Sequence, residues 1–201
     1  MHRGFYKSCR LPHFDAAAQL QFITFVLADA APKQQKSLIS TNRKSGDQEF
    51  LEMDSELDRH RGSCLLKKPE IGSLVLASML RDAGNSHIPL SWVIMPNHIH
   101  LLTAQLPGNK LSEIVRRIKG RSSHEINRLR GCTGQVWQNS FFDRAIRSME
   151  HLGLTIDYIH DNPVKARLCH DPSCWQFSSI HEFSAEKLLA RIEKHHLQFL
   201  S

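Results

Sequence analysis

Two apolar runs, residues 88–95 and 98–104, are separated only by Pro96 and Asn97, and no other feature constrains the fold as strongly. Each run has strand length, and the Pro-Asn pair bends the chain between them, so the pattern predicts two strands of one sheet. Successive strand side chains alternate faces, which puts His98 and His100 on the same face. Neutral imidazole is the commonest protein ligand for divalent metals, and two on one face supply half a coordination sphere. Alone the pattern is weak, because with 13 histidines in 201 residues roughly one His-x-His pair arises by chance.

A second motif lies about sixty residues downstream, Asp157-Tyr-Ile-His-Asp-Asn-Pro-Val-Lys165. On a helix Tyr158 and Asn162, four apart, share one face. The apolar stripe runs through Met149, Leu152, Ile156 and Ile159, and Tyr158 lies off it. Pro163 is expected to stop the helix, since it lacks an amide hydrogen and restricts the residue before it. Ser148 is placed to cap the start, with Glu150 in the first turn. Tyr158 also fits a boundary role, ring on protein and hydroxyl in water. Asn162 also fits a helix-end cap.

The positive charge is concentrated. Residues 110–147 hold nine Lys or Arg against three Asp or Glu, a surplus of six, and the whole chain carries +6, so the remainder is balanced. Leu111, Ile114, Val115, Ile118, Ile126 and Leu129 keep helical spacing and are read as core-facing. Arg117, Arg121, His124 and Arg128 share another face, an electrostatic footprint for phosphates. Arg144 and Arg147 extend it. A solvated charged face is the plain alternative.

The remaining chain reads as alternating elements: a strand at 19–28, a polar connection at 33–46, and a charged helix at 47–60 with Phe50, Met53 and Leu57 inward. Further helices are expected at 69–84, opened by Pro69, and at 185–196, with a short extended piece at 135–146. Together these give an α+β class, a central antiparallel sheet flanked by helices. With 41% hydrophobic residues the chain can bury a core and is taken as one domain, 1–201, in which 168–201 is a docked C-terminal extension anchored by Trp175 and Phe177. No apolar run approaches the ~18 residues of a membrane span. Five cysteines without framework spacing and an amino terminus without an apolar leader fit a reduced, cytoplasmic protein.

Several segments together resemble the HUH-superfamily single-tyrosine transposases, most closely the REP-associated tyrosine transposases. They are Val93-Ile-Met-Pro-Asn-His-Ile-His-Leu-Leu102, Gly134-Gln-Val-Trp-Gln138, Phe142-Asp-Arg-Ala-Ile-Arg147, Tyr158-Ile-His-Asp-Asn-Pro-Val-Lys-Ala166 and Trp175 to Ser179. Leu11-Pro-His-Phe14 with Gln21-Phe-Ile-Thr-Phe25 resembles an amino-terminal signature of one subgroup. The resemblance implies a ferredoxin-like palm with the histidines on a central strand. It implies His98, His100 and Asn162 as ligands of a divalent metal, Mg2+ or Mn2+, and Tyr158 as the nucleophile. The implied reaction cleaves and rejoins single-stranded DNA beside a hairpin or REP-like repeat, through a 5′-phosphotyrosyl intermediate. Monomeric and homodimeric forms are both open.

Other readings remain: a catalytically silent, domesticated DNA-binding protein of the same fold, a zinc protein built on Cys169 and Cys174, and an RNA-processing enzyme. Two departures from the family pattern stand out. Arg167 follows Ala166 where glycine is common, and Val26 stands where an arginine often follows Thr-Phe.

Overall fold

The computed structural model describes residues 4–8, 11–15, 18–30, 54–59 and 61–199, the first two segments by backbone alone. The expected connection at 33–46, Phe50, Met53 and Cys9 lie outside them. Strands β1 (Gly4–Ser8) and β2 (Leu11–Asp15) form a separate antiparallel pair, which the sequence reading did not include. The main sheet holds β3 (Leu20–Val26), β4 (His87–Ile94), β5 (His98–Gln105) and β6 (Phe142–Ala145), all antiparallel, in the order β4-β5-β3-β6. β3 connects past β5 to β4, and β5 connects past β3 to β6. That is the doubled split-βαβ path of a ferredoxin-like sheet.

Alternation along the strands separates two cores. Ile23, Phe25, Ile99 and Leu101 face helices α1 (Pro69–Leu80) and α2 (Leu111–Arg130), meeting Ile71, Val75, Met79, Ile114 and Ile118. Phe22, Leu102 and Ala104 face α3 (Met149–Lys165), meeting Leu152, Ile156 and Ile159. Both faces of β5 are therefore buried, and its two histidines lie on the α3 side. Pro89 is accommodated because β4 is an edge strand and its pairing shifts between Pro89 and Ser91.

The carboxyl-terminal residues return to the sheet. Trp175 Nε1 donates to Ile94 O at 2.9 Å, and Ile94 N donates to Phe177 O at 2.9 Å. Phe177 covers Gly72 so closely that a Cβ there would lie 2.5 Å from its ring. Helix α4 (Ala185–Lys194) is capped by Ser184, whose hydroxyl accepts from Lys187 N.

Several local expectations need correction. Pro163 does not stop α3 but lies inside its last turn, where later amides still close onto Asn162, Pro163 and Val164 carbonyls. Met149 and Leu129 are not core residues: they are 49% and 52% exposed, each at a helix end. The strand read at 19–28 is shorter, and the helix read to residue 84 ends at Leu80. Of the charged helix only 54–57 is helical among the described residues, with Leu57 buried.

Candidate active site

His98 and His100 are completely buried on β5, and each ring is held by its Nδ1. Asn97 Nδ2 donates to Leu57 O and Arg61 O. Its carbonyl oxygen is thereby left to accept from His98 Nδ1 at 2.8 Å, so the His98 proton sits on Nδ1 and the lone pair on Nε2. His100 Nδ1 meets Thr24 Oγ1 at 2.8 Å across the β3–β5 pair. The two Nε2 atoms then converge to 3.1 Å. Converging lone pairs repel unless a proton or cation lies between them. Carboxamide and hydroxyl partners on the far nitrogens are the outer support that metal-bound imidazoles use.

The third group is Asp54, from the helical turn at 54–57, and the sequence reading did not include it. Its Oδ1 stands 3.0 Å from His100 Nε2 and 3.9 Å from His98 Nε2. Its Oδ2 accepts a hydrogen bond from the Tyr158 hydroxyl. Ligand atoms of Asp54, His98 and His100 all lie within 4.8 Å of one another. Burial pushes the Asp54 carboxyl upward, but the charge and hydrogen bond of His100, with His98 and Tyr158, outweigh it and hold it down at about 2.

Tyr158 reaches this cluster from α3. Its ring stands edge-on to Phe22 and to His100, centroids 6.0 and 5.5 Å apart, and Phe22 stacks on His100 at 5.2 Å. Burial, then the charge of Asp54, pushes the Tyr158 hydroxyl well above the usual phenol range, and Asn162 works weakly the other way. Asn162, one turn on, is completely buried, and among the described residues neither amide atom has a well-formed hydrogen bond. A buried carboxamide whose hydrogen bonds are incomplete costs free energy unless something completes them. Asp58, one turn beyond Asp54, is raised to about 6 by burial and then by Asp54. Two imidazole nitrogens and a carboxylate oxygen make an O/N donor set that could hold a metal ion.

The arginines divide by layer. α2 packs on the sheet face opposite the histidines, so Arg117, Arg121 and Arg128 do not adjoin the cluster. Arg121 donates to Asp82 Oδ2 at 2.7 Å and to Ser78 O at 3.1 Å, tying α2 to α1. Arg117 lies 3.7 Å from Asp82, and Arg128 forks onto Glu125. Arg117 and Arg121 are thus engaged with Asp82 just past α1, and Arg121 also with Ser78 inside it. Arg144 pairs in register with Phe22 on β6 and so shares the histidine face. Arg147 is exposed just before α3.

His160, one residue past the apolar Ile159, is structural: its Nε2 lies 3.1 and 3.0 Å from the hydroxyls of Ser91 and Ser179. Among the described residues Cys64, Cys132, Cys169 and Cys174 form no disulfide. Only Asp54, His98 and His100 make a cluster of three metal-type side chains among those residues, which leaves out Cys169 and Cys174. No helix among the described residues is long and apolar enough to cross a membrane.

Comparison with known proteins bears on the same segment. Residues 79–162 match the family model described as Transposase IS200 like, a span running from α1 to Asn162. The chain is related to the REP-associated tyrosine transposase of Escherichia coli K12, 31% identical over 99 residues, which cover 49% of this chain and 57% of that protein. A Haemophilus influenzae relative is 32% identical over 109 residues, covering 47% of this chain and 61% of that protein. The chain thus spans about three-fifths of the length of these curated relatives. The fold is that of a solved REP-associated tyrosine transposase bound to a REP hairpin, with a TM-score of 0.54 and 24% identity over 91% of this chain and 88% of the other.

Proposed function

We propose, from a chain whose residues 79–162 match the IS200-like transposase model, that this protein cleaves and rejoins hairpin-associated single-stranded DNA through a 5′-phosphotyrosyl intermediate. The observation that carries the reading is the division of one carboxylate: Asp54 Oδ1 faces the histidine pair while Oδ2 holds the Tyr158 hydroxyl. Asp54, His98, His100 and Asn162 would hold the ion. A bound magnesium or manganese ion supplies Lewis-acid polarisation of the scissile phosphodiester.

The protein residues do the rest. Phe22 and the α3 backbone orient Tyr158 toward the cluster. A free phenolate is disfavoured beside Asp54, so the proton leaves as the bond to phosphorus forms, with Asp54 Oδ2 as its acceptor. The Tyr158 Oη–P bond forms, the P–O3′ bond breaks, and the proton passes on to the departing 3′ oxygen. The phosphodiester energy is kept in the tyrosyl link, so the strand can be rejoined elsewhere without a nucleotide cofactor. Tyr158, Asp54 and the histidines lie together within the chain, so the reading calls on no residue from a second copy; we place the reaction in the cytoplasm. Arg144 and Arg147 are the arginines we assign to the DNA on this face.

The test is a cleavage assay with Mn2+ or Mg2+ on labelled hairpin oligonucleotides from the gene's own flanks, wild type beside Tyr158→Phe. A denaturing protein gel should show a covalent DNA adduct with wild type only. Metal-dependent cutting without an adduct removes Tyr158 from its role. Hairpin binding without cutting favours a silent DNA-binding protein of the same fold.

A further inference from the structure

The cluster around Tyr158 is acidic, with Asp54 and Asp58 both facing it, yet the proposed substrate is an anion. Among the described residues a cation adjoins the nucleophile directly: Lys165, in the last turn of α3, carries its ammonium 4.9 Å from the centroid of the Tyr158 ring. Two turns of helix separate the residues, which returns them to the same side. The Lys165 side chain is exposed, whereas the ring beneath it is largely enclosed by Phe22 and His100.

We propose that Lys165 is a further substrate-binding residue of this site, its ammonium taking a non-bridging oxygen of the scissile phosphate before attack and of the phosphotyrosyl link after it. The assignment rests on the transfer reaction proposed above. Three physical features support it. A cation over an aromatic face is held there by the ring quadrupole, so Lys165 is stationed beside the reacting oxygen before substrate arrives. Its charge also acts on Asp58, which it favours in the ionised form. Lysine offers a point charge with three rotatable donors on a flexible stem, and can follow an oxygen as phosphorus inverts. It makes and breaks no covalent bond and holds its proton throughout.

The experiment uses the full chain with Tyr158→Phe, which keeps the ring under Lys165 but cannot react. Binding is followed by fluorescence anisotropy with the hairpin cut in the assay above. A second oligonucleotide carries an uncharged methylphosphonate at the mapped scissile position. Adding Lys165→Gln should weaken binding of the phosphodiester roughly tenfold, the scale of one charge-assisted contact, and leave methylphosphonate binding unchanged. Lys165→Arg should restore most of the loss. Equal weakening of both oligonucleotides, or of neither, overturns the assignment and leaves the transfer reaction standing. Failure of the Tyr158→Phe protein to bind any hairpin overturns the transfer reading, and the Lys165 assignment with it.

Discussion

Tyr158 gives its hydroxyl hydrogen bond to Asp54, 104 positions earlier in the chain, and the other oxygen of that carboxylate stands 3.0 Å from His100 Nε2. The nucleophile and the proposed metal centre are therefore joined through one side chain, and any change at Asp54 acts on both.

Asp54→Asn should separate these roles. The amide keeps one oxygen for the histidine side but loses the charge that stabilises a cation there. Mn2+ affinity, read from the free-ion electron paramagnetic resonance signal, should fall about tenfold or more. Thr24→Val, which leaves His100 Nδ1 without its 2.8 Å partner, should cost less, because the ligand atoms stay. Unchanged affinity in Asp54→Asn would remove the carboxylate from the coordination shell.

Arg121 and Arg144 should respond differently to truncation. Arg121→Ala loses the contacts to Asp82 and Ser78 and should lower stability by about 1 kcal/mol in urea unfolding, with little change in single-strand affinity. Arg144→Ala should weaken binding and reduce its salt slope by roughly 0.7, the value for one phosphate on a single strand. A flattened salt slope in Arg121→Ala, with stability intact, would return the α2 arginines to the DNA surface.

These two arginines also show how far the sequence could be read. Helical periodicity located Ile114, Ile118 and Ile126 in the core, and strand alternation put His98 and His100 on one face, because both follow from local geometry. Which layer a helix covers depends on crossover topology, so the α2 arginines could not be assigned a side. Asp54 was missed for a related reason. Its segment reads as a charged surface helix, and nothing local says that one carboxylate turns inward; the four-residue spacing of Asp54 and Asp58 was the available signal. Asn97 and Thr24 were equally silent, since outer hydrogen bonds to histidine come from residue types found in any turn or strand.

His87 supplies a pH test away from the site. It is completely buried at the start of β4, with Ser86 Oγ 3.0 Å from Nδ1. Burial, helped by Arg117 and Arg121 and opposed by a Met79 backbone contact and Asp82, lowers it from 6.5 to about 4. The unfolded chain binds the proton first, so the stability His87 contributes above pH 6.5 is lost as pH falls toward 4. The full loss is on the order of 3 kcal/mol. Urea midpoints at pH 7 and pH 4 should therefore differ more for wild type than for His87→Gln. Parallel pH profiles would show that His87 takes its proton without unfolding the chain.

Arg167 occupies a backbone position that suits glycine. Its φ is +58°, and it follows the α3 cap residue Ala166, with its own amide bonded to Val164 O at 2.9 Å and the Leu168 amide to Pro163 O at 2.8 Å. Those two bonds are the paired closure of a Schellman motif, whose left-handed residue is usually glycine. A side chain there costs about 1–2 kcal/mol, and glycine returns part of that as unfolded-chain entropy, about 0.5–1 kcal/mol. The turn thus takes a glycine-type geometry with arginine in place, at some expense in stability. Arg167→Gly should raise the urea midpoint by the equivalent of about 0.5 kcal/mol, and Arg167→Val should lower it, since β-branching makes positive φ worse. Because Arg167 is exposed, no core contact is lost in either variant. A midpoint that falls in Arg167→Gly would mean that the arginine side chain stabilises the turn by more than its backbone costs.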